Sequence, residues 1–127
     1  MDKILKIIFH SSILFLIIFS LYPGNIFGLL IYGDSSKNPT LFSISFGGYI
    51  EHFIAYFFIS IIGLITYLRD DKLIKVIYVL LLLSVLFEVL QTLIPNRQFE
   101  IYDIVANTLA ITLAYSIVKI YLLFSKI

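Results

Sequence analysis

The chain has 127 residues, of which 61% are hydrophobic and only 13% are charged. Soluble domains carry about a quarter charged residues, so this composition indicates a membrane protein, and the length predicts a single domain over residues 1–127. The formal net charge of +1, without a basic stripe, excludes a general nucleic-acid binder, and the absence of cysteine excludes disulfides and thiolate chemistry.

Four apolar segments are long enough to cross a bilayer, which takes about 20 helical residues. They cover residues 4–21, 49–68, 73–93 and 101–124. The first is too long for the apolar core of a signal peptide, and no small-residue cleavage site follows it, so we expect a retained span in which His10, Ser11 and Ser12 bond locally. We therefore predict an all-α fold, an integral membrane bundle of four transmembrane helices.

The long connection between the first two spans contains a short apolar piece at 26–32 and a polar loop at 33–40 that is rich in turn residues. The apolar piece is too short to cross the membrane. We expect it to lie at the membrane interface or to pack back on the bundle.

Lysine and arginine placement predicts the orientation of the bundle. One side carries Lys3, Lys6, Arg69, Lys72, Lys75, Lys119 and Lys126, whereas the other side carries only Lys37 and Arg97. Positively charged loops stay in the cytoplasm, so both termini are expected there and the 22–48 connection is expected outside.

Polar side chains occur in three of the spans near their predicted outer ends. Residues three or four apart share a helix face, which groups His52 with Tyr56, Glu88 with Gln91, and Asp103 with Asn107. Counting from the span ends places His52, Gln91 and Asp103 within roughly 3–5 Å of the outer ends, and Tyr56, Glu88 and Asn107 roughly 9 Å deep. Ionisable groups are costly in a membrane, so this pattern predicts one outward-facing polar pocket with an upper and a lower layer.

These residues and their spacing resemble the VanZ-like family of small membrane proteins. The matching patterns are Glu51-His52-Phe53-Ile54-Ala55-Tyr56, Glu88-Val89-Leu90-Gln91, Pro95-Asn96-Arg97 and Asp103-Ile104-Val105-Ala106-Asn107. The resemblance covers spans two to four. It implies a bacterial plasma-membrane protein of the cell envelope, associated through the founding members with resistance to the glycopeptide antibiotic teicoplanin. Family members often have Asp-Lys shortly before the histidine and glycines after the asparagine, where this chain has Gly48-Tyr49, Ala110 and Ala114.

The carboxylates and amides of the predicted pocket each allow two roles. Glu88 would be a functional carboxylate, or a protonated acid that bonds one helix to another. Gln91 and Asn107 would orient Glu88 and Asp103, or join helices directly. Asp103 also suits the first turn of a helix, where the macrodipole favours an anion. Tyr56 would line the pocket, or pack or face lipid.

His52 and Arg97 point either to chemistry or to local bonding. His52 next to Glu51 would be a general base with an orienting carboxylate, one ligand of a metal ion, or an interfacial histidine bonded to a loop. Arg97 would clamp a phosphate or a carboxylate, or pair with Asp103 or Glu100. No metal site and no cofactor are expected, because a spacing such as H-E-x-x-H is absent and the other histidine lies far away in the first span.

Four classes of function fit these residues. The first is an envelope factor that recognises a polar headgroup at the outer leaflet, with membrane lipids, a lipid-linked cell-wall precursor or a glycopeptide as partners, and no nucleic acid. The second is an integral-membrane enzyme that uses acid–base catalysis on such a substrate. The third is a small proton-coupled transporter, and the fourth is a structural bundle in which the polar residues only join helices.

Overall fold

The computed structural model describes residues 2–37, 48–68, 72–95 and 97–125. Within these ranges the chain forms five helices and no strand: α1 (Asp2–Leu21), α2 (Ile26–Tyr32), α3 (Tyr49–Thr66), α4 (Leu73–Gln91) and α5 (Ile101–Phe124). Residues 38–40 of the predicted polar loop, Arg69, Asn96 and Lys126 lie outside the described residues.

Four helices of the described ranges, α1, α3, α4 and α5, are long and apolar enough to cross a membrane. They coincide with the predicted spans, which confirms the all-α, four-span fold of an integral membrane protein. Two of them end earlier than predicted, α3 at Thr66 and α4 at Gln91. After Gln91 the chain continues in tight turns, with the Ile94 N–H donating to the Gln91 carbonyl at 3.0 Å. The apolar residues continue through these turns, so hydropathy alone could not mark the helix ends.

The four long helices alternate in direction. The first turns of α3 and α5 lie together, with the Tyr49 and Tyr102 rings 5.8 Å apart. At the opposite end the Thr66 hydroxyl, in the last turn of α3, donates to the Leu5 carbonyl of α1 at 3.4 Å. We call the end formed by the last turns of α1 and α4 and the first turns of α3 and α5 the site end.

Helix α3 lies at the centre of the bundle, because it packs against α1, α4 and α5. Its most extensive pairing is with α5. The face that α5 buries carries the small residues Ala106, Ala110 and Ala114, the last two with no exposed surface. Small residues at this spacing let helix backbones approach closely, as the sequence pattern indicated.

Helix α1 approaches α3 at a glycine. A Cβ atom added to Gly63 would lie 2.5 Å from the Phe9 ring of α1 and 2.9 Å from the Val76 side chain of α4. Because real Cβ contacts are essentially never this short, the absence of a side chain at Gly63 sets the distance between the three helices.

The short helix α2 packs back on the end of α1. Gly24 adopts a φ of 105°, a left-handed conformation that favours glycine, and reverses the chain after α1. The Asn25 side chain then accepts the Gly28 N–H at 3.0 Å and caps α2. The Phe27 ring stacks on the Phe19 ring of α1 at 5.1 Å. Of the two predicted positions for this piece, contact with the bundle is therefore confirmed.

A tight turn follows α2. The Ser36 hydroxyl and backbone N–H donate to Asp34 Oδ1 at 2.7 and 2.9 Å. These two bonds stabilise the charged form, so they hold the pKa of the Asp34 carboxyl below its usual value.

The outer surface of the bundle is strongly apolar. Large side chains such as Phe58, Leu82 and Leu93 are 60%, 67% and 79% exposed. An apolar surface this extensive on a monomeric soluble protein would promote aggregation, whereas a bilayer solvates it.

Candidate functional site

Three ionisable side chains from three helices meet at the site end. His52 Nε2 of α3 lies 3.4 Å from Asp103 Oδ2 of α5. A carboxylate oxygen of Glu88, from α4, completes a group of ligand-type atoms that all lie within 4.8 Å of one another. Glu88 and Asp103 are only 1% and 7% exposed. We call this group the His52–Glu88–Asp103 cluster. Its residue types could hold a divalent cation.

Helix ends provide the electrostatic environment of the cluster. Asp103 is the third residue of α5 and His52 is the fourth residue of α3, so the positive ends of two helix dipoles point towards the carboxylates. The Glu100 N–H, at the start of α5, donates to Glu88 Oε2 at 3.3 Å. Glu88 therefore caps α5 while it also faces His52 and Asp103.

The depths predicted for Glu88 and Gln91 need correction. Counting from the span ends placed Glu88 level with Asn107, and Gln91 close to Asp103. In the structure the start of α5 lies beside Glu88, because the Glu100 N–H bonds directly to its carboxylate. The two helix ends are therefore staggered by about one turn, and an estimate that assumed level ends could not detect this.

Asn107 and Tyr56 lie deeper and meet at a serine. The Asn107 amide donates to Ser84 Oγ at 2.9 Å, and Tyr56 also interacts with the Ser84 side chain. Tyr56 is only 2% exposed, so it packs inside the bundle rather than facing lipid. Of the two roles predicted for Asn107, the structure shows the joining of helices, since its amide N–H links α5 to α4 through Ser84.

The Ser84→Ala substitution is expected to destabilise the protein by about 1–2 kcal/mol, because it leaves the buried Asn107 amide without its acceptor. Reversible unfolding in mixed detergent, followed by circular dichroism, measures the change. Ser116→Ala is the matched control, since Ser116 is exposed and bonds only to the Thr112 carbonyl of its own helix. Equal stabilities for the two variants would contradict this role of Ser84.

Gln91 contacts α1 instead of the cluster. Its side-chain amide donates to the Ser20 carbonyl, in the last turn of α1, at 3.2 Å. Gln91 is 3% exposed. Of the two predicted roles, the structure shows the joining of helices, because the Gln91 amide holds α1 against α4.

Arg97 also binds the end of α1. Its Nη2 donates to the Phe19 and Gly24 carbonyls at 3.2 and 2.9 Å, and its Nε lies 3.4 Å from the Tyr22 carbonyl. The guanidinium charge thus lies at the negative end of the α1 dipole. Among the described residues Arg97 forms no ion pair within 4.0 Å, so the predicted pairing with Asp103 or Glu100 is wrong.

An open cavity of about 460 Å³ lies between α1 and α3. We call it the α1–α3 cavity. Its apolar wall is formed along the two helices by Phe15, Leu16, Phe19, Ala55, Tyr56, Phe58, Ile59 and Ile62, with Ile26 and Phe27 from α2. Polar groups collect at the site end, where Glu51, His52, Gln91, Arg97, Asn25 and Ser20 line it, while Ser12 lies further along α1.

His52 connects the α1–α3 cavity to the cluster. It lines the cavity, and its Nε2 faces Asp103. Glu51 also lines the cavity and is exposed. The carboxylate paired with His52 is thus Asp103, and the expectation that Glu51 orients the histidine is corrected.

Sequence reasoning missed the contribution of α1 to this site. The expectation of local bonding is confirmed for His10 and Ser12, whose side chains lie 2.6 and 2.8 Å from the Lys6 and Ile8 carbonyls. The same helix also supplies one wall of the cavity. The only sequence indication was the four-residue spacing of Phe15 and Phe19, which any lipid-facing helix can show.

The departure from the family pattern before His52 has a structural consequence. Gly48 occupies the N-cap position of α3 without a side-chain cap bond, and Tyr49 begins the helix beside Tyr102. In this chain an aromatic contact between α3 and α5 therefore occupies the region where relatives often carry Asp-Lys.

The fold and site define a class: a small polytopic membrane protein, with four membrane-spanning helices in its described part and a buried polar cluster beside a side-opening cavity. The chain belongs to the VanZ/LLP1 family, whose model matches residues 7–124. This match includes most of α1, which the motif resemblance did not cover. Neither the curated proteins nor the solved structures include a significant match to the chain.

Proposed function

We propose that the protein acts at the bacterial cell envelope by binding an amphiphile, with the polar headgroup at the site end and the hydrocarbon chain in the α1–α3 cavity. The observation that supports this proposal is the division of the cavity lining into a long apolar wall and a polar end. A ligand with one apolar and one polar part matches this division, as is usual for sites that bury most of their ligand.

The rim of the cavity supports entry from the membrane. Phe15 and Phe58 line the cavity and are each 60% exposed. In a bilayer these side chains face lipid tails, so an acyl or polyprenyl chain can move sideways between α1 and α3 without crossing water. The volume of about 460 Å³ lies within the range of small-ligand pockets.

The polar end suits an anionic or sugar-bearing headgroup. Arg97 uses Nε and Nη2 for carbonyls in and directly after the last turn of α1, which leaves Nη1 without a hydrogen bond to the described residues. A guanidinium nitrogen held in this way can donate to a phosphate oxygen. Gln91 and His52 add hydrogen-bond donors and acceptors at the same end.

The positive-inside pattern directs the site end outwards. With both termini in the cytoplasm, the headgroup would lie at the outer leaflet of the plasma membrane, where lipid-linked cell-wall precursors are exposed. The family resemblance adds glycopeptide tolerance as the expected phenotype. The protein would then alter the binding of teicoplanin to its target in the cell wall.

Filling the cavity tests the proposal. Cells expressing Ala55→Trp are expected to lose teicoplanin tolerance, because the indole would occupy the apolar wall of the cavity. Leu82→Trp is the control, since Leu82 lies on an exposed apolar surface outside the cavity. Minimum inhibitory concentrations are compared at matched membrane levels. Equal tolerance in cells with the wild-type protein and cells with empty vector, or full tolerance with Ala55→Trp, would contradict the proposal.

A second candidate function is acid–base catalysis on the bound amphiphile. The observation that favours it is the His52–Asp103 pair, in which a buried carboxylate lies 3.4 Å from a histidine that lines the cavity. Such a pair resembles an oriented general base. Incubation of the purified protein with lipid-linked wall precursors should then give a product by mass spectrometry that His52→Ala abolishes. Unchanged precursor with the wild-type protein would rule against catalysis on these substrates.

A further inference from the structure

The His52–Glu88–Asp103 cluster contains more acceptors than donors. Asp103 Oδ1 is buried and has no hydrogen-bond partner, although Oδ2 of the same carboxylate faces His52. Asn107 Oδ1, one helical turn further along the same face of α5, is also buried and unpartnered. Buried polar atoms in native proteins are nearly always paired. A cation can satisfy these two buried oxygens together with the neighbouring Glu88 carboxylate.

We propose that His52, Glu88 and Asp103 bind a divalent metal ion, with the Asn107 amide oxygen available as a further ligand or as a partner of a metal-bound water. The three side chains come from α3, α4 and α5, and their ligand atoms already lie within 4.8 Å of one another. Both carboxylates are more than nine-tenths buried, so the site is built into the bundle rather than formed on its surface.

The chemical types of the three ligands limit which metal ions the cluster can bind. One imidazole nitrogen with two carboxylates suits a borderline cation such as Zn²⁺ or Mn²⁺ better than Ca²⁺, which prefers oxygen ligands alone. Tetrahedral Zn²⁺ needs its ligand atoms about 3.4 Å apart. His52 Nε2 and Asp103 Oδ2 already have this separation, so only the distances to the Glu88 carboxylate, which are at most 4.8 Å, would have to shorten on binding.

The position of the cluster gives the ion an open side. His52 lines the α1–α3 cavity, so an ion bound to it would lie at the polar end of that cavity. Three protein ligands leave coordination positions free, as in catalytic rather than structural metal sites. The metal proposal rests on the geometry of the His52–Glu88–Asp103 cluster. It does not depend on the proposed binding of an amphiphile.

Sequence spacing could not suggest this site. The H-E-x-x-H motif places two ligands on one helix, whereas here α3, α4 and α5 each supply one. Alternatively, a proton shared between Glu88 and Asp103 would satisfy the same oxygens. In that case the cluster would bind no metal.

Metal titration of the purified full-length protein tests the proposal. The protein is stripped with chelator in detergent and titrated with Zn²⁺ and, separately, Mn²⁺ by calorimetry, with bound metal counted by mass spectrometry. We expect one equivalent per chain in the wild type. His52→Ala, Asp103→Asn and Glu88→Gln should each weaken binding by at least about tenfold. His10→Ala is the matched control and should bind as the wild type does, because His10 contacts only its own helix among the described residues.

Two results would overturn the proposal: no saturable one-to-one binding of either ion to the wild-type protein, or equal affinity in the wild type and in His52→Ala. If the buried carboxylate variants do not fold, the comparison of wild type with His52→Ala and the Co²⁺ absorption spectrum of the wild type decide the question. A d–d band typical of nitrogen and oxygen ligands is expected, and its absence counts against the site. Ala55→Trp should retain metal, so that failure of amphiphile binding and failure of metal binding are distinguishable.

Discussion

Gly63→Ala is expected to destabilise the bundle by about 2–3 kcal/mol, a large effect for one methyl group. The added Cβ would meet the Phe9 ring at 2.5 Å and the Val76 side chain at 2.9 Å, so these two buried side chains, or the helices that carry them, must shift. Because α1 forms one wall of the α1–α3 cavity, the same substitution should also change the cavity. Reversible unfolding in mixed detergent, followed by circular dichroism, measures the loss of stability.

Gly48→Ala is the matched control for this result. No atom of the described residues lies within 4 Å of a Cβ built at Gly48, and its φ of −71° suits any residue. Its stability should change by less than about 1 kcal/mol, with stabilisation the favoured sign. A smaller side chain at the contact should reduce the clash, so Gly63→Ala combined with Phe9→Leu should cost less than the sum of the two single changes. Equal effects of Ala at positions 48 and 63 would contradict the close approach of α1 to α3.

Arg97→Ala is expected to cost about 3 kcal/mol and to loosen the last turn of α1. The substitution removes the donors of the Phe19, Tyr22 and Gly24 carbonyls and the positive charge at the end of the helix dipole. The loss appears as a lower unfolding midpoint and as faster hydrogen exchange of the amides around Tyr22.

Two further variants separate charge from geometry at this position. Arg97→Lys keeps the charge but not the fork of donors, so it should recover only part of the stability. Gln98→Ala, at an exposed neighbouring residue, should leave the midpoint unchanged within about 0.5 kcal/mol. If the Arg97→Ala and Gln98→Ala variants have the same unfolding midpoint, Arg97 does not stabilise the last turn of α1.

Much of the fold could be predicted because hydropathy and length decide it. Four apolar segments in a bilayer must satisfy their backbone hydrogen bonds internally, and only helices do so within one segment. The start of α5 at Ile101 and the end of α1 at Leu21 follow directly from this. The ends of α3 and α4 do not, because apolar residues such as Leu68 and Leu93 continue into the turns.

The site could be predicted only in part, and the incorrect predictions share one cause. The sequence identified polar residues on shared helix faces, so His52 and Asp103 were expected in the same layer. It could not reveal backbone partners, since every residue has the same carbonyl group. Gln91 and Arg97 donate to carbonyls of α1, and Glu88 accepts the Glu100 N–H. These contacts depend on how the helix ends are staggered, which no residue spacing encodes.

The role of α1 follows from the same backbone contacts. Two polar side chains from the α4–α5 region fasten its last turn, and its residues between Ser12 and Ser20 line the α1–α3 cavity. The helix thus acts as a fixed outer wall. An amphiphile that enters between α1 and α3 would meet polar groups only at the site end.

Photo-crosslinking tests the central claim most directly. A diazirine placed in the acyl chain of an anionic glycolipid is activated with the purified protein in nanodiscs, and the labelled residues are identified by tandem mass spectrometry. Binding in the α1–α3 cavity predicts that the label concentrates on Phe15, Phe58 and Ile62, and that Ala55→Trp removes it. Labelling spread evenly over exposed positions outside the cavity, such as Leu82 and Ile117, and unchanged in Ala55→Trp would contradict it.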